Sequence, residues 1–355
     1  MNNTKKITIQ DVAKYANVST GTIDRVIHDR GKVSPDKKKK IEDAIEKLNF
    51  NPNLLASTLA LGKSFHICAL LPSAPHLGHY WSIPKIGIDR AAIMYKDFGV
   101  VTNSFYYDES DEASFTEQTN KILELNPSGV ILVPLFLQES IIFVEKLRER
   151  KIPYVFIDTD IPNQESLAYI GPDIERSAYI AGKLLCSVLK ENSNILILNL
   201  VKGVENASAL NRMEKGFLNF FQENELNNKI NIHTLTINST DKEIIFRELT
   251  KYYLKNNEIK GVFVTNSKAH MVSDFHLKHE LDIKVVGFDL VKANIEHLKL
   301  GGIDYLISQS PMQQGLKAVQ VLFDLFIHKN IPLKVQHVPL DIIIKENVDF
   351  YVDFS

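Results

Sequence analysis

The chain has 355 residues, of which 45% are hydrophobic and 24% are charged, and its formal net charge is −2. This composition excludes a disordered chain, and no apolar run reaches the about 18 residues that a membrane-spanning helix needs. The charge is unevenly distributed, because residues 1–63 hold 12 Lys and Arg against 7 Asp and Glu, whereas the remainder holds 29 against 36. A small basic head before a larger acidic body predicts that the head binds an anionic partner.

The N-terminus and the cysteines indicate the compartment. The first residues are polar and contain no apolar signal core, so we expect a cytoplasmic protein. Cys68 and Cys186 each lie in an apolar context, and two isolated cysteines provide neither a disulfide framework nor a metal-ligand spacing. The phosphate-cradling patterns G-x-G-x-x-G and G-x-x-x-x-G-K-[ST] are absent. We therefore predict buried thiols and neither a cofactor nor a metal site.

Residues 1–50 have the spacing of three short helices. Apolar residues recur at helical spacing over Ile9–Ala16, and serines at good N-cap positions precede a second helix over Thr20–His28 and a third over Pro35–Leu48. Two short helices joined by a turn and braced by a third predict a helix-turn-helix domain, followed by a hinge at residues 51–63.

Two segments of this region carry a specific pattern. Thr8–His28 reads TIQDVAKYANVSTGTIDRVIH, and Phe50–Leu59 reads FNPNLLASTL. Both closely resemble the DNA-binding head and hinge of lac-repressor-type (LacI/GalR family) transcription regulators, and the likeness covers nearly all of residues 7–62. The resemblance implies a homodimer that binds a near-palindromic double-stranded DNA operator.

The resemblance also implies which residues contact DNA. A recognition helix beginning at Ser19 would present Thr20, Gly21 and Arg25 to the major groove, where Arg25 can reach the O6 and N7 atoms of a guanine. Thr22 and the start of the first helix are placed for backbone phosphates. The implied contacts are Thr8, Thr20, Gly21, Thr22, Arg25 and His28 in the head, and Asn53, Ala56 and the minor-groove wedge Leu59 in the hinge.

Each of these roles has a plainer alternative. Arg25 could be an ordinary surface charge, and Leu59 could pack against the rest of the protein. Asp24 stands where the family usually has Ser, so a carboxylate near phosphates weakens binding unless it pairs with a neighbouring cation. Ser57 replaces the common Arg of the hinge, which reduces the expected minor-groove contacts.

From residue 65 onward, apolar runs of strand length alternate with amphipathic stretches of helix length. Runs that are apolar throughout are expected in parallel sheets covered by helices on both faces. The predicted strands are, in chain order, Phe65–Leu71, Val100–Tyr106, Gly129–Leu135, Pro153–Asp158, Leu167–Gly171, Ile195–Leu200, Ile232–Ile237, Gly261–Val264, Lys284–Phe288 and Tyr305–Ser308. Ten strands with their helices are more than a single sheet usually holds, which predicts two doubly wound subdomains.

This region resembles the type 1 periplasmic-binding-protein fold that forms the regulatory core of the same family. The resemblance implies a first subdomain of residues 64–171 plus 310–333 and a second of residues 172–309 plus 334–355. The predicted fold class is therefore α/β, with an all-α helix-turn-helix head before two doubly wound parallel-sheet subdomains.

Polar and aromatic residues follow the predicted strands, at the edge where such sheets bind ligands. Arg212 matches the family element R-x-x-G-F, and Gln309 matches Q-x-P-x-x-x-G. Carboxylates, amides and a guanidinium suit vicinal hydroxyl groups, and aromatic rings suit the apolar faces of sugars. The predicted effector contacts are Tyr80, Trp81, Asp158, Arg212, Asn266, Asp289 and Gln309.

These contacts also have structural alternatives. Trp81 could serve only packing, and Asp158 and Asp289 could only cap the helices that follow them. Thr159, where ribose-type proteins often carry Arg, and Ser267, in place of a frequent Asp, weaken any assignment of a particular sugar.

We therefore expect a sequence-specific DNA-binding transcription regulator that a sugar or sugar-like effector controls allosterically; a repressor is the preferred form and an activator the alternative. A purine or nucleoside effector is the alternative within this class. A sugar transport receptor is disfavoured by the head and by the missing signal segment. A carbohydrate enzyme could use Asp158 and Asp289 as a carboxylate pair, but the sequence shows no general-acid environment, metal set or nucleophile elbow, so we predict no catalysis and no membrane partner.

Overall fold

The computed structural model describes residues 7–27, 31, 33–48, 50, 64–74, 79–190, 192–201, 207–226 and 229–351. The chain divides into two units, Met1–Lys63 and Ser64–Ser355, which we call the head and the body. The predicted hinge at residues 51–63 lies outside the described residues. Within the described ranges, no helix is both long and apolar enough to cross a membrane.

The head contains three helices, α1 (Ile9–Ala16), α2 (Thr20–Ile27) and α3 (Pro35–Lys47). Helix α1 begins with a capping box and ends at Asn17, whose left-handed backbone (φ 52°) closes the helix before the turn. One apolar side of each helix faces a small common core, formed by Val12, Ala13, Ala16, Ile23, Ile41, Ala44 and Phe50. The helical spacing of the sequence predicted these three elements to within one residue at each end.

The first sheet of the body is entirely parallel, with strand order β11-β5-β4-β3-β1-β2. Its strands are β1 (Phe65–Pro72), β2 (Val100–Tyr107), β3 (Gly129–Leu132), β4 (Tyr154–Ile157), β5 (Ala168–Gly171) and β11 (Val335–His337). Its helices are α4 (Ser82–Met94), α5 (Glu112–Leu125), α6 (Leu137–Glu149) and, late in the chain, α12 (Pro311–His328). Strands β3, β4 and β5 are buried along their whole length, as expected for a sheet covered on both faces.

The second sheet has strand order β12-β10-β9-β8-β6-β7, and β12 is its one antiparallel strand among the described residues. Its strands are β6 (Asn194–Leu200), β7 (Asn231–Ile237), β8 (Ile259–Val264), β9 (Lys284–Phe288), β10 (Tyr305–Ser308) and β12 (Asp341–Ile343). Its helices are α7 (Ile174–Val188), α8 (Ala207–Glu223), α9 (Lys242–Lys255), α10 (Ala269–Lys278) and α11 (Lys292–Lys299). The two sheets and their helices confirm the predicted fold class.

The C-terminal boundary of the second subdomain needs correction. The expected return to that subdomain at residue 334 is wrong, because β11 pairs with β5 of the first sheet and only β12 joins the second. Neither strand was predicted. Each has three residues, and β11 exposes Val335 and His337 at the sheet edge, so its sequence has no buried apolar run to mark it.

Helices α4 and α12 pack at very short range, and two glycines make this approach feasible. A Cβ atom on Gly87 would lie 1.9 Å from the backbone oxygen of Met312, and one on Gly315 would lie 2.0 Å from that of Pro84. Because the obstacles are backbone atoms of a facing helix, neither can move aside without separating the helices.

We therefore predict that Gly87→Ala lowers the free energy of unfolding by about 3 kcal/mol, at the upper end of overpacking effects. Urea unfolding followed by circular dichroism would measure it. Arg90→Ala, on the exposed side of the same helix, is the matched control and should change stability by less than about 0.5 kcal/mol. Equal stability of the two variants would show that the helices can separate at little cost.

Candidate functional site

The recognition helix α2 presents a polar face to solvent. Thr20, Gly21 and Arg25 are exposed, whereas Ile23 on the opposite face is fully buried. A Cβ atom on Gly21 would lie 4.0 Å from the Ser19 hydroxyl, its nearest neighbour outside the helix backbone. The surface beside Arg25 is therefore uncrowded. Because Thr20 and Gly21 are small, no bulky side chain beside Arg25 would keep the helix from entering the major groove, and Arg25 can reach the base edges.

Thr8 is the N-cap of α1, whereas Thr22 lies in the first turn of α2 and bonds to Ser19, the residue before that helix. The Thr8 hydroxyl donates to Asp11 Oδ2 at 2.7 Å, and the Asp11 N–H donates back to Thr8 Oγ1 at 3.4 Å. The Thr22 hydroxyl lies 2.9 Å from the Ser19 hydroxyl. Their predicted phosphate contacts therefore require these hydroxyls to share or exchange partners. His28, Asn53, Ala56 and Leu59 lie outside the described residues.

In the body, two aspartates occupy equivalent positions in the two subdomains. Asp158 directly follows β4 and Asp289 directly follows β9. Both have left-handed backbones, with φ angles of 69° and 66°. The backbone N–H of each donates to the neighbouring strand, to Ile170 O at 3.3 Å and to Ile307 O at 3.0 Å. A non-glycine residue with a left-handed backbone is uncommon and is often found at functional sites. Its occurrence at the same place in both sheets therefore indicates a functional site at this edge.

Each aspartate has a side-chain donor from its own subdomain. The Tyr80 hydroxyl donates to Asp158 Oδ1. Gln309 donates twice to Asp289, from its backbone N–H to Oδ1 at 3.3 Å and from Nε2 to Oδ2 at 3.1 Å. Gln314 Nε2 in turn donates to Gln309 O at 2.9 Å and holds that backbone in place. The carboxyl groups are thus oriented before any ligand arrives.

The electrostatics show that these groups share one site. Burial raises the pKa of Asp158 to about 6, against the opposing effect of the Tyr80 hydrogen bond. The pKa of Asp289 is raised to about 7, chiefly by burial and also by the negative charge of Asp158, while the hydrogen bonds from Gln309 oppose the rise. Burial and then the charges of both aspartates raise the pKa of the Tyr80 hydroxyl. Asp158 in the first subdomain is therefore close enough to Asp289 in the second for the charge of one to act on the other.

Trp81 lies immediately before α4, and its side chain is 6% exposed. Its Nε1 donates to Glu109 Oε2 at 3.2 Å, and its ring meets Tyr80 edge-on with 4.8 Å between centroids. Both rings belong to the same buried apolar cluster as Val291, which precedes α11 of the second subdomain. The subdomains are therefore in apolar contact beside the aspartates. Stacking of Trp81 on a sugar stays a prediction.

Two predicted contacts have other partners. Arg212 Nη2, at the second turn of α8, donates to Asp160 Oδ1 at 3.0 Å, which joins the two subdomains by an ion pair. Asn266 Nδ2 donates to Leu200 O at 2.7 Å, within the second subdomain. The structure thus brings together Tyr80, Asp158, Asp289 and Gln309, with Arg212 held beside them.

Three residues important to this arrangement were not predicted from the sequence, namely Glu109, Asp160 and Gln314. Asp160 had the clearest signal, since it repeats the acidic residue of Asp158 two positions later, beyond the end of β4. Among the described residues, no group of three or more His, Cys, Asp and Glu side chains could hold a metal ion.

Comparison with known proteins places both units. The family described as periplasmic binding protein domain matches residues 70–330, and that described as bacterial regulatory proteins, lacI family, matches residues 8–53.

Individual relatives align over most of the chain. It is 25% identical to catabolite control protein A of Staphylococcus epidermidis over 80% of this chain and 82% of that protein. It is also 25% identical to the ribose operon repressor of Lactococcus lactis over 96% of this chain and 98% of that one. A crystal structure of a putative LacI transcriptional regulator from Bacteroides fragilis superposes with a TM-score of 0.76 at 28% identity, covering 81% of this chain and all of that one.

Proposed function

The chain belongs to the periplasmic binding protein domain family and carries a DNA-binding head of the lacI family of bacterial regulatory proteins, and on that premise we propose that it is a repressor controlled by a sugar. It is a DNA-binding transcription regulator, and two of its relatives are named as a catabolite control protein and a ribose operon repressor. The head reads the operator, and the site at Asp158 and Asp289 binds the effector.

The observation that carries the effector assignment is the paired placement of Asp158 and Asp289. Each carboxyl group arrives from a different subdomain, at the carboxyl end of a parallel strand, and each is oriented by a neutral donor. Carboxylate oxygens that are fixed in this way accept hydrogen bonds from vicinal hydroxyl groups, the feature that distinguishes a sugar from most metabolites of its size.

The proposed control follows from the position of this site. A ligand that bonds to both carboxyl groups stabilises one relative arrangement of the subdomains and so changes how two heads are presented to two half-sites. Thermodynamic linkage then requires that operator and effector alter each other's affinity by the same factor. We propose a homodimer in the cytoplasm as the working form, since a near-palindromic operator has two equivalent half-sites.

An exposed apolar patch on the first subdomain supports the dimer. Ile93 and Met94, at the end of α4, are 75% and 58% exposed, and Val101 on the adjacent edge strand β2 is 42% exposed. Exposed apolar side chains on an edge strand and at the end of a helix that packs on it are typical of a surface that another subunit covers.

The double substitution of Ile93 and Met94 to Lys should therefore convert the dimer to a monomer at micromolar concentration, because four like charges would meet at a two-fold interface. Light scattering after size-exclusion chromatography gives the mass directly. Ile331→Lys is the control, since Ile331 is 86% exposed but precedes β11 at the opposite edge of the same sheet. A dimer that persists in the double variant would place the interface elsewhere.

The function is tested by two measurements on the full chain. Selection of genomic fragments should enrich a near-palindromic site over random duplex. A thermal-shift screen of monosaccharides, sugar acids and purines should show stabilisation by at least one sugar, which should also change operator affinity. Stabilisation by purines alone would show that the effector is a purine and not a sugar. The lack of any preferred DNA fragment would contradict the regulatory function.

A further inference from the structure

Asp160 forms an ion pair with Arg212, the arginine that is predicted to contact the effector. Its carboxylate binds Arg212 Nη2 at 3.0 Å, and the two side chains are only 24% and 28% exposed. Asp160 lies two residues after Asp158, and Arg212 Nε is buried without a hydrogen-bond partner among the described residues. Thr159, the residue between the two, is 4% exposed, and its hydroxyl has no hydrogen-bond partner among the described residues.

Within the described part of the chain, the hydrogen-bond donors to the two central carboxyl groups are neutral. Asp289 experiences the charge of Asp158, and each bonds only to a neutral donor, Gln309 or Tyr80. The charge of Arg212 acts instead on Tyr169, whose hydroxyl donates to the backbone oxygen of Asp158. The carboxylate of Asp160 thus offsets the positive charge of Arg212.

We propose that this site selects its sugar by charge: it binds neutral sugars, binds amino sugars with a free ammonium group more tightly, and excludes sugar phosphates and sugar acids. Asp160 is the residue that sets this preference, because its carboxylate offsets the charge of Arg212. This inference rests on the proposed function of the same site.

The physical basis is the cost of burying like charges. At pH 7 Asp158 is largely ionised, and Asp289, whose pKa burial raises to about 7, is about half protonated. This buried negative charge repels any anionic ligand, and close like charges cost several kcal/mol. A ligand ammonium reverses this balance, because it donates charge-assisted hydrogen bonds to both carboxylates and neutralises them. A neutral sugar also satisfies the acceptors but leaves the repulsion in place.

The test compares charged forms of the same sugar by isothermal titration calorimetry at pH 7. The matched probes are glucose, glucosamine, glucuronate and glucose 6-phosphate, then the corresponding galactose series, with ribose and ribose 5-phosphate as a pentose pair. The amine should bind about tenfold more tightly than its neutral parent, and the anions at least about a hundredfold more weakly. Equal or tighter binding of an anion overturns the charge selection while leaving a sugar regulator intact, whereas binding of none of the probes contradicts the proposed function.

The role of Asp160 is tested by Asp160→Asn, with the affinity ratio between the anionic and the neutral sugar as the readout. The ratio should rise about tenfold, because Arg212 keeps its charge and loses its counter-ion. Glu175→Gln is the matched control, since it breaks a nearby ion pair with Lys215 (3.0 Å) without releasing Arg212. A ratio that is unchanged in Asp160→Asn, or changed equally in both variants, rejects Asp160 as the determinant.

A pH series on the wild-type protein gives a second readout that does not depend on a variant. Burial raises the pKa of Asp289 to about 7 and that of Asp158 to about 6, so acidification to pH 5 protonates both groups. The groups that face them, Tyr80, Tyr169 and Gln309, stay neutral over this range. The preference for the amino sugar over the corresponding neutral sugar should therefore fall as the pH is lowered from 7 to 5. A preference that rises would contradict a carboxylate origin.

Discussion

Arg25→Ala is expected to abolish specific operator binding while the affinity for the effector stays unchanged. Arg25 is exposed on α2 beside Thr20 and Gly21, and a bidentate contact from arginine to guanine contributes about 1–3 kcal/mol of discrimination. A dimer loses this contact at both half-sites, so the preference for the operator over random duplex should fall by about 2–6 kcal/mol. The buried core of the head does not include Arg25, so the fold should persist.

Fluorescence anisotropy at one fixed salt concentration, with operator and scrambled duplex in parallel, measures this loss. Lys40→Ala is the matched control, because Lys40 is an exposed cation on α3, outside the recognition helix. It should weaken binding to both duplexes slightly and equally, as the loss of a sequence-independent charge does. If Arg25→Ala lost both operator affinity and effector affinity, the assignment of DNA binding to the head and effector binding to the body would be wrong.

Asp289→Ala should have the converse effect, a protein that binds its operator and no longer responds to any sugar. The Asp289 carboxylate accepts both donors of Gln309, so its removal takes away a ligand acceptor and leaves two buried donors without a partner. We expect the effector dissociation constant to rise at least about a hundredfold, in line with the loss of a charged hydrogen-bonding group in a buried site.

Two further variants make this result specific. Asp289→Asn keeps the shape of the side chain but removes its charge, and it should lose most of the affinity as well. Asp282→Ala, two residues before the same strand, removes a carboxyl group that is 94% exposed and should leave effector binding unchanged. Calorimetry and operator release measure binding and response separately. Full induction of Asp289→Ala by a sugar would move the effector site away from the paired aspartates.

The elements of the fold were largely predictable because their causes are local. Ten strands of the body carry apolar runs, and the caps and breaks around them are readable from neighbouring residues. Strands β11 and β12 were missed because each has only three residues and β11 gains its strand geometry from pairing with β5, a contact between segments more than 160 residues apart. The point near the C-terminus at which the chain returns to the second subdomain therefore depends on pairing between distant strands.

The sequence by itself determined the helix-turn-helix head, the α/β class of the body and the strand ends at which Asp158 and Asp289 lie. Only the tertiary structure decided that Tyr80 and Gln309 orient those carboxyl groups, that Trp81 is buried, and that Arg212 pairs with Asp160. The reason is physical. Helical spacing, caps and apolar runs act over a few residues, whereas the partner that a charged side chain chooses depends on which distant segments the packed subdomains bring within 3 to 4 Å of it.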